Sequence, residues 1–180
     1  LDLNYNYSIP LGSFKNDIIS NSSPRGFTGD ILYNINKQWA IGLYGGFQDY
    51  YQKYDRTVYD LDKNQQISAV LTNSVQTSPV LLKAMFTPLG KKTSFIQPYI
   101  SAAAGGSIVD FTQYLGEFGS QDNSISFAAQ AGAGLSVAFG KLSASGFHAG
   151  ATYNYVPYTQ NGYSNLNNLG IEAGFYFRLK

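Results

Sequence analysis

The stretch Asn167-Asn168-Leu169-Gly170-Ile171-Glu172-Ala173-Gly174-Phe175-Tyr176-Phe177-Arg178-Leu179-Lys180 reads as one β-strand. Strand side chains alternate with period two, so Leu169, Ile171, Ala173, Phe175, Phe177 and Leu179 share one face. Gly170, Glu172, Gly174, Tyr176 and Arg178 take the other. An uninterrupted apolar row thus opposes a row of glycine and charge. In a water-soluble sheet the polar row faces solvent and the apolar row a core. In a closed sheet that crosses a bilayer the sense is reversed: the apolar row meets lipid and the small or polar row fills the interior. The remainder of the chain decides between the two.

Composition favours the second. Charged residues are 13% of the 180, against about 25% in ordinary soluble domains, while aromatics reach 16%, with 15 Tyr and 12 Phe. The mean hydropathy of -0.16 looks soluble, as a membrane barrel does when only every second strand residue is apolar. No apolar run approaches the ~20 residues a membrane helix needs. With no cysteine, disulfides, thiol nucleophiles and cysteine-bound metals are excluded. A formal charge of +1 argues against nucleic acid as a partner. One domain over 1–180 is expected. The start Leu1-Asp2-Leu3 lacks the basic and apolar regions of a signal peptide, which is the expectation for a mature exported chain.

Eight alternating segments can be traced: about Leu1–Leu11, Gly26–Ile35, Trp39–Tyr51, Val75–Pro88, Phe95–Phe111, Ser124–Phe139, Phe147–Val156 and the closing strand. The fourth is the least regular, because Leu81 and Met85 share a face with Lys83. The connections alternate in length. Leu11 to Gly26, Tyr51 to Val75, Phe111 to Ser124 and Val156 to Asn167 are long and rich in Asn, Ser, Gln, Gly and Asp; residues 36–38, 89–94 and 140–144 form short turns. Short periplasmic turns and longer extracellular loops mark bacterial outer-membrane barrels, and both termini on the short-turn side require an even strand number. Lys37, Lys91, Lys92, Lys141 and Lys180 gather on the short-turn side, whereas Asp17, Asp55, Asp60, Asp62, Glu117 and Asp122 gather on the other.

Together these segments resemble the eight-stranded OmpA/OmpX-type outer-membrane barrels, in the form common in Bacteroidetes. Three stretches carry the resemblance: Ser78-Pro79-Val80-Leu81-Leu82-Lys83-Ala84-Met85-Phe86, Ile96-Gln97-Pro98-Tyr99-Ile100-Ser101-Ala102-Ala103-Ala104-Gly105-Gly106, and Gly174-Phe175-Tyr176-Phe177-Arg178. The resemblance implies an all-β fold, an eight-stranded antiparallel up-and-down transmembrane β-barrel, in the bacterial outer membrane. It specifies a fold better than an activity. The chain lacks the peptidoglycan-binding domain of full-length OmpA, so a cell-wall tether is not expected.

An eight-stranded barrel is just wide enough for side chains to fill, so an open aqueous pore is not expected. Asp2, Asp30, Lys83, His148, Glu172 and Arg178 all fall on the inward rows and are expected to form a lumen charge network, with Arg178 approaching Asp2 and His148. In OmpA-like relatives such networks have been discussed as gates, which leaves a small gated channel as the alternative function.

His148 is the one histidine and the obvious catalytic suspect. Lipid A deacylases, also eight-stranded barrels, use a His with a Ser two residues on; here that position is Gly150, and His148 is expected to point inward, away from lipid. No catalytic residue is assigned, and a lone His is a poor metal ligand set. Asp60-Leu61-Asp62-Lys63-Asn64 begins like a calcium loop but lacks its glycine and distal Glu, so a solvated loop is expected. Ala104-Gly105-Gly106-Ser107 has no following helix or Lys to make a phosphate loop. No cofactor or metal is expected.

The aromatics fall in two bands, as interfacial girdles do. Trp39, Phe86, Phe95, Phe139, Phe147 and Phe177 lie toward the short turns; Tyr7, Tyr50, Tyr51, Tyr153, Tyr155 and Tyr158 lie toward the long loops. The expected partners are outer-membrane lipid, lipopolysaccharide and other outer-membrane proteins. The expected role is structural or accessory, within a larger outer-membrane complex, and not enzymatic.

Overall fold

The computed structural model describes residues 1–61, 65–89, 95–116, 118–140, 145–160 and 163–177. In chain order its strands are β1 (Asp2–Pro10), β2 (Ser23–Asn34), β3 (Trp39–Lys53), β4 (Thr57–Leu61), β5 (Gln65–Ala69) and β6 (Leu71–Phe86). Then follow β7 (Ile96–Leu115), β8 (Phe118–Ala138), β9 (Ser145–Tyr155), β10 (Thr159–Gln160), β11 (Tyr163–Ser164) and β12 (Asn168–Phe177). A single π-helical turn, Phe14–Ile18, lies between β1 and β2.

Eight strands close into an antiparallel barrel in the order β1-β12-β9-β8-β7-β6-β3-β2, the fold the alternation predicts. Closure is made by the stretch quoted first, because β12 pairs with β1 from Asp2↔Tyr176 to Pro10↔Asn168. Leu1 and Phe177 also exchange backbone bonds, at 2.9 and 2.7 Å. The strands are strongly staggered. Stepping across cross-strand partners from Pro10 through Asn168, Asn154, Gln130, Ala103, Lys83 and Gly42 arrives at Leu32, beyond the start of β1. Such stagger tilts the strands by roughly 35–45° from the barrel axis. At the short-turn end, the Asn36 side-chain oxygen accepts the N–H groups of Gln38 and Trp39 at 2.8 and 2.7 Å, an Asx turn joining β2 to β3.

The long-loop side departs from the expectation. β7 and β8 are 20 and 21 residues long and β6 is 16, against the ~9–11 that span a bilayer. The Phe111 to Ser124 connection is therefore a continuous hairpin, with pairing from Gly105↔Ala128 to Leu115↔Phe118. Likewise β3 runs to Lys53, β6 begins at Leu71, and β4 pairs with β5 above them. The expected solvated loop around Asp55 and Asp60 is thus a second hairpin, since Asp60 belongs to β4; Asp62, Lys63 and Asn64 lie outside the described residues. Alternation over these extensions was obscured because their apolar face changes sides, as described below. The upper strands, the paired strands of both hairpins and the segments 11–22, 156–160 and 163–167 form a crown above the membrane-spanning barrel.

Candidate functional site

The lumen is filled in layers. At the short-turn end Ala40, Met85 and Tyr99 are buried together, with Leu32 against them. Above them Lys83 Nζ lies 2.9 and 3.0 Å from the two carboxylate oxygens of Asp30, with side-chain exposures of 1% and 0%. The Lys83 ammonium also sits 5.0 Å from the Tyr44 ring centroid, and the Tyr44 hydroxyl donates to Glu172 at 3.4 Å. The Tyr99 hydroxyl lies 2.6 Å from His148 Nε2, with the two rings stacked 4.6 Å apart. The row of small residues makes room for this stack: a Cβ on either Gly134 or Gly150 would overlap the Tyr99 hydroxyl.

Five of the six sequence-assigned lumen residues therefore point inward. Asp30 and Lys83 are paired, Glu172 joins them through Tyr44, and His148 pairs with Tyr99. Asp2 is buried beside Asp30 on the adjacent strand. Arg178 lies outside the described residues. Tyr44 and Tyr99 complete the layer and were missed, because a Tyr on an inward row is indistinguishable in sequence from one of the girdle.

A polar zone follows, with Asn6, Gln48, Asn154 and Asn168 joined by side-chain bonds such as Asn6 to Gln48 at 2.9 Å and Asn154 to Asn168 at 2.9 Å. It lines a cavity of about 30 Å³, room for about two waters. Above this the mouth is closed by the chain itself. Gly12, with φ 59°, turns the β1–β2 segment inward, and Phe14, Ile18 and Ile19 are 0–1% exposed. The Phe14 ring meets Tyr50 edge-on at 4.8 Å, while Val75, Val109, Phe111, Val156 and Leu166 pack in the same cluster. Polar ties hold the plug. The Ile18 carbonyl accepts from Asn73 Nδ2 at 2.9 Å and Tyr54 Oη at 3.0 Å, and Gln52 Oε1 accepts the backbone N–H groups of Ser20 and Asn21. Three apolar residues in a polar connection were the signal available for this plug.

On the outside, Ile31, Leu43, Val80, Leu82, Ile100, Ile171 and Phe175 are 48–69% exposed and form a continuous apolar belt. A soluble monomer rarely exposes so large a patch. Trp39, Phe95, Phe139, Phe147 and Phe177 are exposed toward the short turns and Phe86 is half-buried against Trp39, ring centroids 4.8 Å apart. Tyr51, Tyr153 and Tyr155 are 41–48% exposed toward the crown. Tyr50 and Tyr158 correct the expected girdle. Both point inward, at 1% and 2% exposure, as parts of the mouth closure. Tyr158 donates to Asp122 at 3.5 Å, and burial together with that carboxylate pushes its hydroxyl up to about 12.

A closed barrel of eight strands, with an apolar belt outside and a packed polar interior, defines an integral outer-membrane β-barrel protein. The solved structures of similar fold are barrels of the OmpA/OmpX type. Neisserial surface protein A superposes with a TM-score of 0.56 at 17% identity, covering 99% of this chain and 95% of that one. Ail, the attachment invasion locus protein of Yersinia pestis, gives 0.50 at 14%, covering 97% and 93%. No protein-family model matches the sequence, and no curated protein matches it.

Proposed function

We propose that this protein is a non-conducting outer-membrane barrel that acts through its extracellular crown, as a structural or accessory subunit of a larger assembly and without catalytic activity. The observation that carries the reading is the double closure of the lumen. An apolar plug at Phe14, Ile18 and Ile19 stands above a layer in which Asp30, Lys83 and Glu172 are at most 2% exposed. An ion crossing it would shed its hydration in apolar surroundings at the plug and break a buried ion pair below. The crown, by contrast, is accessible and extends well past the length needed to cross the bilayer.

Planar-bilayer recording tests the reading. The native barrel is expected to give no unitary conductance, and neither Phe14→Ser nor Lys83→Met alone should open it, because each leaves the other closure in place. Steady conductance from the native protein would overturn the proposal in favour of a small gated channel. Photo-crosslinking from crown positions in intact outer membranes should yield a discrete adduct; crosslinks to lipopolysaccharide alone would remove the protein partner.

A further inference from the structure

The upper limit of the apolar wall is not level. Cross-strand partners Arg25, Asp49, Gln76, Asp110 and Asn123 form one row over β2, β3, β6, β7 and β8. Their side chains face outward, and every one is polar or charged. In the next outward row toward the short turns stand Phe27, Phe47, Ser78, Ile108 and Ile125, apolar but for Ser78. The boundary between hydrocarbon and water therefore follows a row. Rows lie at right angles to the strands, which tilt by roughly 35–45°, so this one is inclined to the membrane by the same angle. Four steps of ~4.8 Å carry it roughly 12 Å down from Asn123 to Arg25. The sense is that of the row from Pro10 to Leu32, which also falls from β8 toward β2. Beyond β8 the sheet drops again, because β9 pairs with it only up to Ala129↔Tyr155.

The lower limit does not compensate. Along β2 the outward apolar residues run from Phe27 to Ile35, a height of about 20 Å at that tilt. Along β8 they run without a break from Ile125 to Phe139, a height of about 35 Å. Tilting the barrel moves both ends of a strand together and cannot make these heights equal. A flat hydrocarbon band of ~25 Å does not fit both. If it reached Ile125 it would immerse Arg25 and Asp49, whose charged groups meet at 3.2 Å, and charge on the lipid face destabilises a barrel increasingly with depth. The wall is also weakest here. The β3–β6 ladder passes from Gly45↔Val80 to Gln48↔Thr77, because Pro79 has no N–H and the Gly46 carbonyl loses its ladder donor. At membrane depth such a carbonyl needs a donor, which water or a headgroup supplies.

We propose that the outer face of β2, β3 and β6 thins the bilayer locally, seating outer-leaflet lipid headgroups against Arg25, Asp49, Gln76 and Ser78 about 10 Å deeper than beside β8. The Arg25 side chain, 66% exposed, meets the headgroup phosphate, and Gln76 and Ser78 meet its neutral oxygens. On the far side, Ile108, Ile125 and Phe127 hold the leaflet at its full height, with Ile125 80% exposed. The barrel thus imposes a slope on the surrounding membrane, steepest between β8 and β2. This concerns the wall alone and holds whatever the crown binds.

The test compares two outward sites at equal height on the barrel. Val80 lies two strands along the row from Phe127, through Gly106, and so ~6 Å lower; Ser78, two residues up β6, regains ~5 Å. The chain has no cysteine, so Ser78→Cys and Phe127→Cys can each carry a single nitroxide label without background. The labelled whole protein is placed in dioleoylphosphatidylcholine nanodiscs, and power saturation reads collisions with oxygen and with a water-soluble nickel chelate. A level membrane gives one nickel-to-oxygen ratio at both sites. Thinning should make the ratio at Ser78 higher by roughly threefold or more. Replacing Arg25 and Asp49 together by Leu should bring the Ser78 ratio down toward the Phe127 value, with heat-modifiable gel migration reporting that the barrel is folded. In nanodiscs of a shorter lipid, didodecanoylphosphatidylcholine, the thin bilayer leaves both sites wet and the two ratios should converge. Equal ratios in the longer lipid, a higher ratio at Phe127, or a Ser78 ratio unmoved by the Leu pair in a folded barrel would each overturn the thinning. Should the Leu pair fail to fold, the two labels in the otherwise native chain still decide it.

Discussion

Below the rim and above it, the same strands place their apolar side chains on opposite faces. In the lower part of β6, Leu82 and Val80 face outward and Lys83 inward; in its upper part Gln76 and Ser74 face outward and Val75 inward. On β7, Ile100 and Ile108 face outward over Ser101 and Ser107, and higher up Asp110 and Thr112 face outward over Val109 and Phe111. The pleat is unbroken through the change. What differs is the surrounding medium, hydrocarbon below and water above, so the crown is in effect a small water-soluble core seated on a membrane barrel. The lesson is that the period of an alternation reports the strand, whereas its sign reports the solvent.

The largest expected effect lies in the lower core. Lys83→Ala leaves the Asp30 carboxylate buried without its ammonium and should cost about 3–5 kcal/mol in denaturant unfolding of the detergent-solubilised barrel. Adding Asp30→Asn should restore most of that; a single-variant loss of under about 1 kcal/mol would mean the pair does not anchor the lumen. The change of sign at the rim is tested next, on one face of one strand. Leu82→Arg places a charge in the belt and should cost about 2–4 kcal/mol, whereas Gln76→Arg, six residues earlier on the same face, should be tolerated. Equal costs would break the assignment of the rim.

Smaller effects sharpen the upper region. Gln52→Ala removes the acceptor for Ser20 and Asn21 and should loosen the plug by about 1–2 kcal/mol, seen as faster exchange at those two amides with global unfolding unchanged. The weakest is a pH effect. The Tyr158 hydroxyl is raised from 10.0 to about 12, so its contribution is fully present below pH 10 and lost as pH rises through about 12. The component of the tyrosinate absorbance change that titrates near pH 12 should be smaller by one tyrosine in Tyr158→Phe.

Much of the barrel was legible because lipid demands a strict pattern. Leu169 to Phe177 and Trp39 to Phe47 declare their faces residue by residue, and the short turn at 36–38 punctuates the latter. The inward direction of Asp30, Lys83, His148 and Glu172 could be read the same way. Their partners could not. Asp30 meets Lys83 across the lumen, not along a ladder, so the contact depends on closure and stagger together. The β7–β8 extension was hidden because Val109 and Phe111 are inward apolar residues in a chain whose apolar residues had pointed out. Tyr50 and Tyr158 were placed in the girdle because an aromatic near a rim satisfies either side.

The sequence by itself determined the number of membrane strands, the outward apolar belt and the inward direction of Asp2, Asp30, Lys83, His148 and Glu172, because each depends only on period two and the nature of the medium. Tertiary structure alone decided that Phe14, Ile18 and Ile19 close the mouth, that Lys83 answers Asp30, and that β9 deserts the upper edge of β8. Those outcomes depend on which strands meet, at what stagger, and on a loop finding room inside the barrel. Contacts between residues so far apart in sequence leave no local pattern to read.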